Sequence, residues 1–224
     1  MLFLSLAARL SAQEEAPTAT PVATPAPGYV RFWNMLPSAS GPMDLRRAGA
    51  PPTEAPLVGK SPPYRYSSYL AYPPGLYHLS VNKAGQPERP LKVIDLNLAA
   101  DAYFTILVSP TSRGPNIELI NDTNDPKAGS ATLVVRNYFP SLTVDVFGRQ
   151  KKIVSALSFG QSIAVGDLPF DHLSLTMRTV LPNKVLAESG AEADFKVIKR
   201  ATLLIIPDEY GRFRPRVTLD GKDL

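Results

Sequence analysis

The feature that most constrains this chain is that it writes the same punctuation twice. "RFWNMLPS" occupies residues 31–38 and "VRNYFPS" occupies residues 135–141. Each is an apolar run closed by Asn, two apolar residues, Pro and Ser. Asn34, Pro37 and Ser38 return as Asn137, Pro140 and Ser141, 103 positions later. Asp44 of "MDL" returns as Asp145 of "VDV", and His78 of "HLSV" as His172 of "HLSL". Thr105 of "FTILVSP" returns as Thr202 of "ATLLIIP", and Pro115 of "PNIEL" as Pro215 of "PRVTL". The order is kept while the spacing drifts by a few residues, as loop insertions produce. The chain therefore reads as an internal duplication, and each half must close a core of its own.

Each half reads as strands. Runs such as "YVRFWNM", "GLYHLSVNK", "LKVIDLNL" and "AYFTILVSP" in the first, and "ATLVVRNYF", "LTVDVFG", "HLSLTMR" and "TLLIIPD" in the second, are β-branched or aromatic. Gly, Pro, Asn or Asp bounds most of them. In "YHLSVNK", Tyr77, Leu79 and Val81 face one way, and His78, Ser80 and Asn82 the other. The chain has 23 prolines in 224 residues, about twice the usual share. Helices tolerate proline poorly, while turns and sheet edges accept it. The expectation is an all-β chain of two tandem β-sandwich (immunoglobulin-like) modules over 29–122 and 131–224, joined by a linker at 123–130. "NLAADAYF" is expected to turn before its strand. The repeated Asn and Pro then have a reason. A sandwich needs its first strand to stop sharply and cross to the other sheet, and Asn can bond the local backbone where Pro ends the ladder.

"MLFLSLAARLSA", residues 1–12, resembles a truncated signal leader that ends in small residues, too short for a membrane span. "QEEAPTATPVATPAPG", residues 13–28, is a Pro/Thr-rich tether unable to form a core. Together they predict an exported protein, periplasmic or extracellular, with no transmembrane span in the mature chain. Cysteine is absent, so disulfides, thiolate metal sites and thiol nucleophiles are excluded. Net charge is +4, and the basic residues form no broad stripe. Arg212, Arg214 and Arg216 alternate as on one strand face, which does not suggest a nucleic-acid partner.

"YVRFWNMLPSASGPMDL", "YPPGLYHLSV", "LNLAADAYFTILV" and "ELIND", with a second opening "LVVRNYFPSLTVDVFG", resemble a family of exported bacterial β-sandwich domains of unknown function. Arg31, Asp44, Asp145, Gly75 and Thr105 stand at that family's recurrent positions. A tandem pair behind a leader is similar to the AlgF-like accessory proteins of alginate O-acetylation. The resemblance spans roughly residues 29–222 and implies no catalytic residues. It implies partnership with a membrane-bound O-acyltransferase and a periplasmic acetyltransferase, with the polysaccharide as a further ligand.

Nothing in the residues assembles a reaction. His78 and His172 supply one imidazole per module, without the convergent ligands a metal needs. Asp44 and Asp145 occupy equivalent places in separate modules, unlike the facing pair of a glycosidase. "ELINDTND" and "LDGKDL" lack the spacing of a calcium loop. No Gly-x-Ser-x-Gly elbow occurs. Neither cofactor nor metal is expected. Aromatic residues are the better lead: Trp33, Tyr64, Tyr66, Tyr69 and Tyr72, in and around "SPPYRYSSYLAYPPGLY", could stack on sugar rings or anchor a protein partner. The expected role is a non-catalytic, exported accessory or scaffold protein of exopolysaccharide O-acetylation. The alternative is a general cell-surface binding or structural protein.

Overall fold

The computed structural model describes residues 25–220 apart from 112, 124–129, 141, 170, 182–183, 197–198 and 209. The leader at 1–12, most of the tether and most of the 123–130 linker lie outside the described residues. The first nine strands are β1 (Gly28–Asn34), β2 (Met43–Arg47), β3 (Val58–Ser61), β4 (Arg65–Tyr66), β5 (Leu70–Tyr72), β6 (Gly75–Lys83), β7 (Pro90–Leu98), β8 (Tyr103–Thr111) and β9 (Gly114–Asn121). The other eight are β10 (Ala131–Asn137), β11 (Val144–Gly148), β12 (Lys151–Leu157), β13 (Ser162–Leu168), β14 (His172–Leu181), β15 (Lys184–Asp194), β16 (Arg200–Pro207) and β17 (Phe213–Leu219).

The strands form two sandwiches of one plan. In the first, a sheet ordered β4-β1-β8-β9, with β5 also on β1, packs on a sheet ordered β3-β2-β6-β7. In the second, β13-β10-β16-β17 packs on β12-β11-β14-β15. The opening strand runs parallel to the penultimate one in both, Arg31 opposite Thr105 and Val134 opposite Thr202. Alternation fills each core. Val30, Phe32, Leu45, Leu79, Val81, Leu96, Ile106 and Val108 close the first. Leu133, Val135, Val144, Val146, Leu175, Met177, Leu203 and Ile205 close the second. The fold is all-β, two tandem sandwich modules.

The repeated Asn does the same work twice. Asn34 Oδ1 accepts the Leu36 N–H at 3.3 Å, and its Nδ2 donates to the Ser61 carbonyl at 2.9 Å and the Gly41 carbonyl at 3.5 Å. Asn137 Oδ1 accepts the Phe139 N–H at 3.0 Å, and its Nδ2 donates to the Leu142 and Leu157 carbonyls, each at 2.9 Å. Both side chains are fully buried. The amide thus caps its own strand end and ties it to a strand of the opposite sheet, β3 or β12. The repeated Asp is equally local. Asp44 accepts the Lys60 N–H at 2.7 Å and Asp145 the Ala156 N–H at 2.8 Å. Lys60 (φ 51°) and Ala156 (φ 52°) are left-handed bulge residues, a conformation that costs a side-chain-bearing residue about 1–2 kcal/mol. A carboxylate on the bulged N–H helps hold it.

Two of the sequence correspondences slip. Asp44 pairs Asn82 and Asp145 pairs Arg178, so β6 and β14 correspond at an offset of 178 − 82 = 96. His78 therefore corresponds to Ser174, not to His172. Likewise Thr105 pairs Ile120 and Thr202 pairs Thr218, an offset of 218 − 120 = 98. Pro115 corresponds to Phe213 rather than Pro215. Both slips are of two residues, which leaves every side chain on its expected face. Alternation in the sequence cannot detect a shift equal to its own period.

Strand extents differ too. "SSYLAY" is not one strand; only Leu70–Tyr72 pair, after the short β4. β3 was not anticipated, nor was most of β15, whose "LAESGAEAD" is polar and weakly β-forming. It becomes a strand by pairing along the whole of β14. "EADFKVIKR" is not one strand: its first three residues end β15 at Asp194, Phe195 and Lys196 turn, and Arg200 opens β16.

Candidate functional site

In an isolated sandwich the outer sheet faces meet water. Here the outer face of β1, β8 and β9 turns onto the outer face of β10, β16 and β17. Trp33, Met35 and Leu107 of the first module pack with Tyr138, Leu204 and Ile206 of the second, with Tyr64 and Ile120 at the margin. Each of the six is at most 3% exposed, and burying such side chains stabilises by about 1.5–3 kcal/mol apiece.

Beside this apolar patch lies a buried polar cluster. Arg31 donates Nε–H to Thr105 Oγ1 at 2.7 Å, and its Nη2 bonds Asp220 of the other module. The same Nη2 stands 3.6 Å from Asp122. Thr105 donates to Asp122, and at the equivalent place Thr202 donates to Asp220 at 2.6 Å. The duplication supplies two Thr–Asp pairs and one central guanidinium, for Val134 stands where Arg31 would recur. Arg200 Nε is 3.8 Å from Asp220. The guanidinium also lies over the rings of Trp33 (4.2 Å) and Tyr69 (4.5 Å), a placement worth about 2 kcal/mol when desolvated.

Burial pushes the Asp122 carboxyl above the usual carboxylate range, and the Asp220 charge adds to this. Arg31 and the hydroxyls of Thr105 and Tyr69 pull the other way without cancelling it. A raised pKa means that the folded chain binds more protons than the unfolded one. Stability should therefore fall as pH rises from about 4, the unfolded Asp value, through the folded one. Asp122→Asn keeps an acceptor for Thr105 and Tyr69 and removes the charge. Urea midpoints taken at a series of pH values should show this falling contribution in the parent and not in the variant.

The aromatic residues divide by position. Trp33 is 1% exposed between the modules, so the expectation that its ring offers a stacking face is corrected. It is a packing residue. Tyr69 gives its hydroxyl to Asp122 at 3.0 Å and its ring to Arg31 and, edge-on, to Tyr103. Tyr72 packs on the first core and against Tyr77. Tyr66 is 39% exposed and tilts against Trp33. Tyr64 is half-buried at the mouth of a cleft. His78 is paired with Asp95 at 2.6 Å and His172 with Glu192 at 3.5 Å, both at the surface. Among the described residues, no three His, Asp or Glu side chains are grouped as a metal would need.

The cleft runs along the seam between modules in two adjoining lobes of about 280 and 320 Å3. Ser38, Tyr64, Pro207 and Asp208 line both, Arg65, Arg214 and Arg216 one, and Phe139 and Pro140 the other. Register explains the arginines. Arg216 pairs Leu204 and Arg214 pairs Ile206, so both share the seam-facing side of their sheet, whereas Val217 and Phe213 pack on the core. The first module has Glu118 and Asn116 at the corresponding positions, 98 residues earlier. Asp208 is already committed. Its Oδ1 accepts the Tyr210 and Arg212 N–H groups and its Oδ2 the Arg212 Nε–H, each at 2.9 Å. Burial would raise its carboxyl, but these bonds outweigh it and hold the group below the usual range. The sequence showed the arginine alternation but gave no sign that Tyr64 and Arg65 of the other module would meet it.

No family model matches the chain, and no curated protein does. Among solved structures it is similar to CBMbc, a family 26 carbohydrate-binding module from Eubacterium rectale Amy13K crystallised with maltoheptaose. The two share 8% identity and a TM-score of 0.28, over 87% of this chain and 97% of that one. Among the described residues, no helix is long and apolar enough to cross a membrane.

Proposed function

We propose that this chain is a non-catalytic, exported accessory protein of exopolysaccharide O-acetylation. On this reading it acts in the periplasm or outside the cell and holds partner proteins, a membrane-bound O-acyltransferase and a periplasmic acetyltransferase, close to the polymer. The observation that carries the reading is the seam cleft. Two duplicated modules are packed together by their outer faces, and the packing leaves a preformed groove walled by Tyr64, three prolines and arginines, as a binding surface requires. The buried hydroxyls of Thr105 and Thr202 are spent on carboxylates and serve packing, not reaction. The leader-like N-terminus, the Pro/Thr tether and the family resemblance support export and the acetylation context.

The test is a gene deletion, with acetyl ester measured on the secreted polymer. Loss of ester while polymer is still secreted is expected. Unchanged acetylation would overturn the accessory role and leave a general surface binding or structural protein.

A further inference from the structure

Four strand connections, two from each module, meet at the end where the repeated Asn closes β1 and β10. Ser38, Tyr64, Phe139 and Asp208 bring them to one lobe of the seam cleft. The same end holds the two exposed tyrosines of the chain, Tyr66 at 39% and Tyr210 at 73%, one on each module. Each has an arginine beside it. Arg65 precedes Tyr66 in β4, and the Arg212 guanidinium lies 4.8 Å from the centre of the Tyr210 ring. Arg214 and Arg216 follow on one face of β17, with Cα atoms roughly 7 Å apart, and line the other lobe together with Arg65. Arg65, Arg214 and Arg216 make no hydrogen bond or ion pair with any described residue, whereas Asp208 is neutralised by Arg212. Residues 208–216 carry Arg212, Arg214 and Arg216 against Asp208 and Glu209, so with Arg65 this end is net basic.

The exposure of Tyr210 is built in. The turn between β16 and β17 is closed by the Asp208 carboxylate on the Tyr210 and Arg212 N–H groups, by the Gly211 N–H on the Asp208 carbonyl at 3.0 Å and by the Asp208 N–H on the Arg212 carbonyl at 2.9 Å. Gly211 supplies the left-handed φ of 75°. The most exposed large apolar side chain among the described residues is thus held outward on a fixed tip. It is not among the residues that line either lobe, so a ligand confined to the cleft would leave it in water.

We infer that this end of the molecule docks on an anionic lipid surface, with Tyr210 at the level of the headgroups and the arginines on their phosphates. This rests on the reading of the seam as a binding surface and names what its arginine-lined end meets. A tyrosine settles where an apolar layer meets water, because its ring is apolar and its hydroxyl wet. Guanidinium forks match phosphate oxygens in two-point geometry. A headgroup layer offers many phosphates in one plane, so arginines on two modules and a projecting tip are met together. An acidic polypeptide lying in the cleft would reach the arginines and miss Tyr210.

The full chain is sedimented with vesicles of equal parts phosphatidylcholine and phosphatidylglycerol and with vesicles of phosphatidylcholine alone, and its affinity for soluble polyglutamate is measured beside them. Binding to the mixed vesicles, weakened by added salt, with little on phosphatidylcholine alone and weaker binding of polyglutamate, is expected. Arg65→Ala, Arg214→Ala and Arg216→Ala should each weaken it roughly fivefold, the scale of one basic residue at such a surface, and the triple variant roughly a hundredfold. The corresponding triple Lys variant should keep most of the binding, since charge carries the attraction, and far-UV dichroism should report an unchanged fold for each. Every variant keeps the apolar N-terminus, so binding by that segment alone would leave the triple Ala variant unaffected and overturn the inference. The chain has no cysteine, so Tyr210→Cys can carry a single environment-sensitive dye. Its emission should shift blue on the mixed vesicles. The same dye at Val93→Cys, exposed on the sheet turned away from the seam, should not shift. No shift at position 210, or tighter binding of polyglutamate, would also overturn the inference, the latter by making the arginines an acidic-protein site. No vesicle binding with acetyl ester still lost in the deletion strain removes the lipid contact and leaves the accessory role. Vesicle binding with unchanged acetylation does the reverse.

Discussion

Replacing Arg31 with Ala is expected to destabilise the protein by about 3–5 kcal/mol, the scale of a buried ion pair broken on one side. The substitution leaves Asp122 and Asp220, both 5% exposed or less, facing each other without the Arg31 guanidinium, with Arg200 Nε still 3.8 Å from Asp220. It also strips Thr105 of its Nε–H donor and removes the cation from between Trp33 and Tyr69. Neither sandwich core contains Arg31, so each module should retain its own fold. What is lost is their docking. Urea unfolding should change from one transition to two, with the seam opening first. Adding Asp122→Asn and Asp220→Asn to Arg31→Ala should recover much of the loss, because the unpaired charges and not the missing bonds carry most of it.

Asn34→Ala and Asn137→Ala are expected to cost about 2–4 kcal/mol each, since each strands buried backbone groups that no water can reach. Asn137 should cost more. Its three bonds are all 3.0 Å or shorter, whereas Asn34 has one at 3.3 Å and one at 3.5 Å. Urea titration of both variants gives the ranking. Asp in place of Asn137 should be worse than Ala, because its carboxylate would face the Leu142 and Leu157 carbonyls that the amide now bonds. Equal and small losses at both positions would mean that the repeated Asn is a relic of the duplication rather than the tie between sheets.

The sequence made the modules legible through residues whose work is local. Asn34 and Asn137, Asp44 and Asp145 all bond backbone within their own module, so they recur wherever the fold recurs. Thr105 and Thr202 recurred visibly too, but their partners Asp122 and Asp220 lay in "ELIND" and "TLDG", which share only the carboxylate. Spacings of 17 and 18 residues from a Thr to an Asp were the available sign of a repeated buried pair. The docking itself was not legible. Arg31, Thr105 and Asp122 lie on alternate positions facing away from the core, as ordinary solvated residues would. Only the fold reveals that the other module covers them. For the same reason Trp33 read as an exposed platform, since one strand cannot tell water from a second module on its outer side.

The most direct test of the docked arrangement is the emission of Trp33, the single tryptophan of the chain. It sits in the seam and outside both cores, so its spectrum reports docking rather than folding. Native emission should be blue-shifted, should change together with far-UV dichroism as urea unfolds the parent, and should shift red before the dichroism changes in Arg31→Ala. Native emission already at the wavelength of a solvated indole would contradict the docked arrangement, because the two modules would then not be packed face to face.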